Sequence, residues 1–242
     1  MTSDGPDAPS ILVRTTLPCL PLPPISERPA IQTASLLIRP LKQSDLEVYH
    51  ELRKQPEFMA ETTLGKVDRD IEETQDALGF LIDPPNEHFN FGVFEAATGE
   101  LIGDGGIHTI HSEPMGWPAI GYRFRKESWG RGYATEFMSA VLKAWWQLPR
   151  QDVELKIHPG TLKRKVTEPL LPPPLAPTDG GDAPILAQEC VVADVASYNV
   201  GSQRVLEKLG CERFGTWVEE DTQLHRLGQP ITISHYTLSG PS

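Results

Sequence analysis

Residues 121–136 read GYRFRKESWGRGYATE. Together with Ala119 and Ile120 just upstream, Ile120, Tyr122 and Phe124 alternate with Gly121, Arg123 and Arg125, the period of a half-buried strand. Downstream, Ala134, Phe137, Met138, Val141, Leu142 and Trp145 recur at helical spacing and mark one buried stripe. Gly130 and Gly132 therefore stand in a strand-to-helix turn, at the helix entrance. Glycine there permits positive φ and lets an outside group come close to the backbone. A helix N-terminus presents unpaired N–H groups and the positive end of the dipole, which suits a phosphate. A glycine-rich turn without a ligand has the same letters, so this stretch alone leaves both readings open.

Working outward, the helix is expected over 132–148, and ECVVADV (189–195) reads as a returning strand. Asn199 is a good N-cap and Gly210 a C-terminal stop for a short helix between them, and strands follow at about 212–218 and 231–238. VELKIHP (153–159) has the composition of a strand, either on its own or as the first half of the returning one. TEPLLPPPLAPTDGGDAP (167–184) is too rich in proline for a strand and favours extended polyproline II. Upstream, SLLIRPL (35–41) opens a strand. Ser44 and Glu47 form a capping box for a helix ending near Pro56, and a second helix runs from about Asp68 to Ile82, ended by Pro84 and Pro85. FNFGVFEA (89–96), the turn ATGE and LIGDGGIHTI (101–110) make a hairpin. Residues 1–34, with PCLPLPP at 18–24, read as a flexible proline-rich arm. The domain proper is 35–242, with a proline-rich insertion at about 158–188. The order β, α, α, β, β, β, α, β, α, β, β places one parallel pair inside a mostly antiparallel sheet with flanking helices, an α/β (α+β) class.

Apolar content of 39% and charged content of 23% over 242 residues fit a globular chain. The formal net charge of −11 excludes a non-specific nucleic-acid binder and suits a cationic acceptor. Cys19, Cys190 and Cys211 form neither a zinc pattern nor a disulfide framework, which points to a reducing compartment. No stretch has the apolar length of a membrane helix, and MTSDGPDAPS lacks a secretory pattern, so the expected location is the cytoplasm.

Order and motifs together resemble the GNAT superfamily of acyl-CoA N-acyltransferases, in its RimJ/RimL-like branch, over roughly 35–238 without the insertion. The last glycines of the family's Q/R-x-x-G-x-G/A signature fall on Gly130 and Gly132. NVGSQRVLEKLG (199–210) resembles the branch's N-x-x-S-x-x-x-L-x-x-x-G segment, and LLIRPLKQSDLE (36–47) the opening strand and helix. The resemblance implies an acetyl-CoA-dependent N-acetyltransferase that acts on a primary amine, a protein N-terminus or a small molecule, with no metal. It implies that the signature strand splays from its parallel neighbour and the pantetheine arm fills the gap. Tyr122, Arg123 and Phe124 would then line that arm, and Trp129, Gly130, Arg131, Gly132, Tyr133, Ala134 and Thr135 the pyrophosphate. Asn199 would touch the pantetheine arm, and Ser202 would protonate the departing thiolate. The structural alternative is that Asn199 only caps its helix and Ser202 only sits on the first turn. Two departures stand out: Glu127 occupies the Q/R position, and Leu206 the position where many relatives in other branches of the family carry a tyrosine acid, so that the donor is Ser202 or water.

Candidates for the base are Asp104, His108, His111 and Glu136. The H-x-x-H spacing of the two histidines puts them on opposite faces of a strand, so they are not read as a metal pair. The signature is not a dinucleotide fingerprint, since the third glycine is missing, and no G-K-S/T Walker element is present. A non-catalytic acyl-CoA-binding or interaction module would keep the glycine turn and lack a usable acid or base. Pro169 with Pro172 and Pro174 with Pro177 have the PxxP spacing that SH3 or WW modules bind; a flexible insertion accounts for the same composition.

Overall fold

The computed structural model describes residues 5, 7–82, 88–162 and 184–241. Along the chain the strands are β1 (Ile11–Pro18), β2 (Ile31–Gln32), β3 (Leu36–Arg39), β4 (Phe89–Glu95), β5 (Leu101–Thr109), β6 (Ala119–Phe124), β7 (Arg150–Ile157), β8 (Ile185–Leu186), β9 (Cys190–Ala196), β10 (Glu212–Glu220) and β11 (Pro230–Ser239). The helices are α1 (Leu46–Arg53), α2 (Pro56–Met59), α3 (Ile71–Ile82), α4 (Tyr133–Trp146) and α5 (Val200–Lys208).

Eight strands form the main sheet in the order β10-β11-β9-β6-β5-β4-β3-β2. All its pairings are antiparallel except β6 with β9, the parallel pair expected from the strand–helix–strand crossover. Phe137, Met138, Val141, Leu142 and Trp145 of α4 are buried against one face. Burying each stabilises the fold by about 1.5–3 kcal/mol. A second apolar cluster, including Tyr49, Leu52, Phe58, Met59 and Leu78, joins α1, α2 and α3 to Phe94 and Leu101.

Four local expectations change. Residues 11–18, assigned to a flexible arm, form β1, which pairs antiparallel with β7 along its length and parallel with β8 in a separate three-stranded sheet. Val13, Thr15 and Leu17 point inward and Arg14 outward, so a period-2 pattern lay between the prolines. VELKIHP accordingly belongs to this small sheet and not to the returning strand. At the start of α1 the carboxylate of Asp45, not Glu47, reaches back to a backbone N–H, accepting from Lys42 at 2.8 Å, because Arg39 grips that carboxylate from below. Pro56 ends α1 and also opens α2 from the first helical position, where its missing N–H costs nothing. The prolines assigned to ending α3, the 167–183 part of the polyproline segment and both PxxP pairs lie outside the described residues. Among the described residues no helix is long and apolar enough to cross a membrane.

The small sheet packs at the β5–β6 turn, where the His158 N–H donates to Met115 O at 3.2 Å. The Gly130–Gly132 loop leaves the other end of β6, so the insertion departs from the end of the sheet opposite that loop.

Candidate active site

β6 and β9 meet at one register pair, Ala119 with Val192. The Val192 N–H donates to Pro118 O at 2.9 Å, and beyond that point the strands part. Splaying leaves main-chain groups on the facing edges without ladder partners, a cost that a ligand with amides of its own can remove. A cleft of about 870 Å³ opens there, lined by residues from both strands together with Asn199, Ser202 and Leu206.

At the loop, Gly130 and Gly132 have φ of 73° and 83°. These left-handed values suit glycine, and a Cβ on either would meet no protein atom within 4 Å, so the space above the loop is open to an outside group. The first helical bond of α4 runs from the Glu136 N–H to Gly132 O at 3.1 Å, which leaves the N–H groups of Tyr133, Ala134 and Thr135 ahead of it. These features fit a pyrophosphate. Glu127, the departure from the signature, is exposed in the turn before the loop and points into solvent.

The side chains around the loop are more committed than their letters suggest. Arg131 pairs with Glu95 at 2.9 Å and lies over the Tyr133 ring. The Tyr133 hydroxyl donates to the same Glu95 oxygen at 2.7 Å. Those hydrogen bonds, with that from Thr98, hold the Glu95 carboxyl below its ordinary range. Glu95 is thus a loop-shaping residue that sequence reasoning missed, since it lies on β4, far along the chain. Trp129 folds back and donates from its indole to Phe124 O at 2.7 Å, while the Phe124 ring is buried edge-on to Phe137. Arg123 turns its guanidinium to the opposite face, where both oxygens of Asp104 and the Tyr49 hydroxyl hold it, with Phe58 beneath. Only its main chain is left to face a ligand in the splay.

On the α5 side the sequence-expected pair is brought together with a third residue. Asn199 Oδ1 accepts from the Ser202 N–H at 3.0 Å, so the cap is formed. Ser202 Oγ lies 2.9 Å from the Tyr122 hydroxyl, which is also 3.2 Å from Ser202 O. Burial pushes the Tyr122 phenol up to about 12, with Cys211 adding and the Ser202 hydrogen bond opposing, so it keeps its proton at neutral pH. When Tyr122 donates to Ser202 Oγ, the serine proton is free to turn to a third atom. Leu206 is fully buried beneath.

Of the candidate bases, Asp104 has both oxygens occupied and Glu136 accepts from the Ser35 N–H at 2.7 Å. His108 and His111 line the cleft. Strand register and alternation put Gly121, Arg123, Asp104 and Asp194 on one face of the sheet and Ile120, Tyr122 and Phe124 on the other.

Comparison with known proteins agrees with this architecture. The structure resembles a GNAT-family acetyltransferase from Bacillus anthracis, with 20% identity, a TM-score of 0.60, and 88% of this chain and 99% of that one covered. It also resembles spermidine N-acetyltransferase from Vibrio cholerae in complex with CoA and spermine, with 15% identity, a TM-score of 0.56, and 86% and 97% covered. An acetyltransferase from Agrobacterium tumefaciens shows 19% identity, a TM-score of 0.53, and 88% and 95% covered. At such identities the likeness is one of fold. No curated protein matches the chain. The acetyltransferase (GNAT) domain family matches residues 35–212, which take in the opening strand, the splayed pair and the glycine loop, and the chain belongs to that family.

Proposed function

We propose that this protein is an acetyl-CoA-dependent N-acetyltransferase of the RimJ/RimL-like branch, acting on a primary amine. The observation that carries the reading is the parting of β6 and β9 over a cleft that holds Tyr122, Asn199 and Ser202. Acetyl-CoA is the co-substrate. The open loop at Gly130 and Gly132 and the first-turn N–H groups of α4 receive its pyrophosphate. The open edges of β6, at Tyr122 to Phe124, and of β9 receive the amides of its pantetheine arm. The Vibrio cholerae relative of the same fold holds CoA and spermine, which is consistent with this use of the cleft.

An amine nitrogen attacks the thioester carbon, the C–N bond forms and the C–S bond breaks. The sulfur leaves as a thiolate and takes a proton from Ser202 Oγ, which Tyr122 resupplies from a phenol too weakly acidic to ionise on its own. The branch assignment is supported by NVGSQRVLEKLG, whose asparagine caps α5 while its serine meets Tyr122.

Incubation with labelled acetyl-CoA across small amines and peptides with free N-termini tests the proposal. Label on an amine, with free thiol released in equal amount, is expected. Tight acetyl-CoA binding without transfer to any acceptor would show a binding module instead.

A further inference from the structure

Resting on the acetyl-transfer reading, we infer that His108 is the base that deprotonates the incoming amine, with Asp194, which lines the same cleft and is anchored by His235, as the anion that favours its protonated form. Three observations support it. First, the His108 ring lies across β6: a Cβ added to Gly121 would stand 3.0 Å from its Nδ1. Any side chain at residue 121 would crowd the imidazole, so the glycine lets it reach over the strand that borders the splay. Second, this places His108 on the sheet face opposite Tyr122 and Ser202. An acyl group held between the strands would then meet a base on one side and a proton donor on the other, the separation that attack and departure need. Third, two of the other candidates are committed elsewhere, Asp104 to Arg123 and Tyr49, and Glu136 to Ser35, while His111 lies past the end of β5.

The charged groups around the cleft are Asp194 on β9, the mutually paired Asp104 and Arg123, Arg53 (held by Asp68), Glu61, His111 and Glu113. Of these, Asp194 is the one whose charge reaches the His108 ring; the ring is exposed at the cleft surface, and the protein mass around it lowers its pKa from the ordinary value while Asp194 opposes that. The ring is therefore neutral, able to accept a proton, at and above neutral pH. Asp194 is itself held: its Oδ1 lies 2.8 Å from His235 Nδ1. His235 is 1% exposed, stacks on Trp217 at 4.3 Å, and has Glu219 Oε1 2.8 Å from its Nε2. That second contact lies off the line of a good hydrogen bond and is better described as an ion pair.

The protons balance as follows. A primary ammonium gives one proton to His108, which passes it to solvent. The free amine attacks, His108 takes the second proton lost from nitrogen and again passes it to solvent, and solvent returns one proton to the Tyr122–Ser202 pair to replace the one taken by the thiolate.

The test uses the full-length protein in two arms. In the first, thiol release from acetyl-CoA is followed against pH with a diamine, a polyamine and an N-terminal peptide. His108→Gln is expected to lower kcat about 10²-fold or more and to abolish the acidic limb of the profile, with acetyl-CoA affinity by calorimetry unchanged. An intact acidic limb in His108→Gln, or its loss in His111→Gln instead, overturns the assignment. In the second arm the His108 imidazole is titrated by NMR without any acceptor. Asp194→Asn is expected to move it to lower pH, because the opposing charge is gone. Should that variant not fold, His235→Gln is expected to move it upward, because Asp194 then lacks its counter-charge. An unmoved titration overturns the pairing. Wild-type protein that releases no thiol with any acceptor would refute acetyl transfer, and with it the base; the titration still decides the Asp194 coupling.

Discussion

Ser202 Oγ lies 2.9 Å from the Tyr122 hydroxyl, across the gap where β6 and β9 part company. One partner comes from the signature strand and the other from the first turn of α5, and Asn199 sets the second by accepting its backbone N–H. One turn further along α5, Leu206 is fully buried and offers no proton. The phenol that meets Ser202 comes instead from the neighbouring strand.

Ser202→Ala and Asn199→Ala are therefore expected to separate. The first should lower turnover while leaving the melting temperature in place, and Tyr122→Phe should lower it in the same sense. The second should lose about 1 kcal/mol of stability with the cap and also weaken acetyl-CoA binding. Thermal melts beside steady-state kinetics distinguish the two; a Ser202 variant that melts early with normal turnover would make the serine structural.

Gly132→Asp is expected to weaken acetyl-CoA binding tenfold or more, against a smaller effect for Gly132→Ala. Both strain a φ of 83°, at a cost of about 1 kcal/mol, and only the first adds negative charge at the proposed pyrophosphate site. Calorimetry on the folded variants checks this, and equal losses would assign the effect to backbone strain alone.

Stability should fall as pH rises. Burial works against a charge on His235, yet the hydrogen bond to Asp194 and the charges of Asp194 and Glu219 push it up to about 9. The folded protein then binds a proton more tightly than the unfolded chain, so the contribution is complete below about pH 6.5 and lost as pH passes through about 9. Its size is on the order of 3 kcal/mol. Denaturant titrations across that window should show the decline, and His235→Gln should flatten it. A pH-independent midpoint in the wild type would exclude a buried imidazolium.

Asp104→Ala should destabilise by about 1.5–3 kcal/mol, because it leaves the half-buried Arg123 guanidinium without its anion. Asp104 is 7% exposed, so solvent cannot take its place cheaply. A loss below about 1 kcal/mol in denaturant melts would show the pair to be screened like a surface bridge.

Deleting 167–183 should leave acetyl-CoA affinity unchanged. The described chain on either side runs into the small sheet at the β5–β6 turn, none of whose strand residues lines the cleft. A folded deletion variant with lost affinity would overturn that placement.

What the sequence determined by itself is what neighbours along the chain decide. The alternation of Ile120, Tyr122 and Phe124, the positive-φ glycines, the stripe on α4 and the Asn199 cap each depend on residues a few places apart, so order, class and glycine loop were legible. The tertiary structure decided the partners. Tyr122 and Ser202 are 80 residues apart, Ser35 and Glu136 are 101, and β1 finds β7 across most of the domain. Asp104, His108 and Glu136 look alike as candidate bases in the sequence because a titratable side chain's role depends on which charge or backbone group meets it. Those meetings are set by strand register and by the splay of β6 from β9, which no local pattern records.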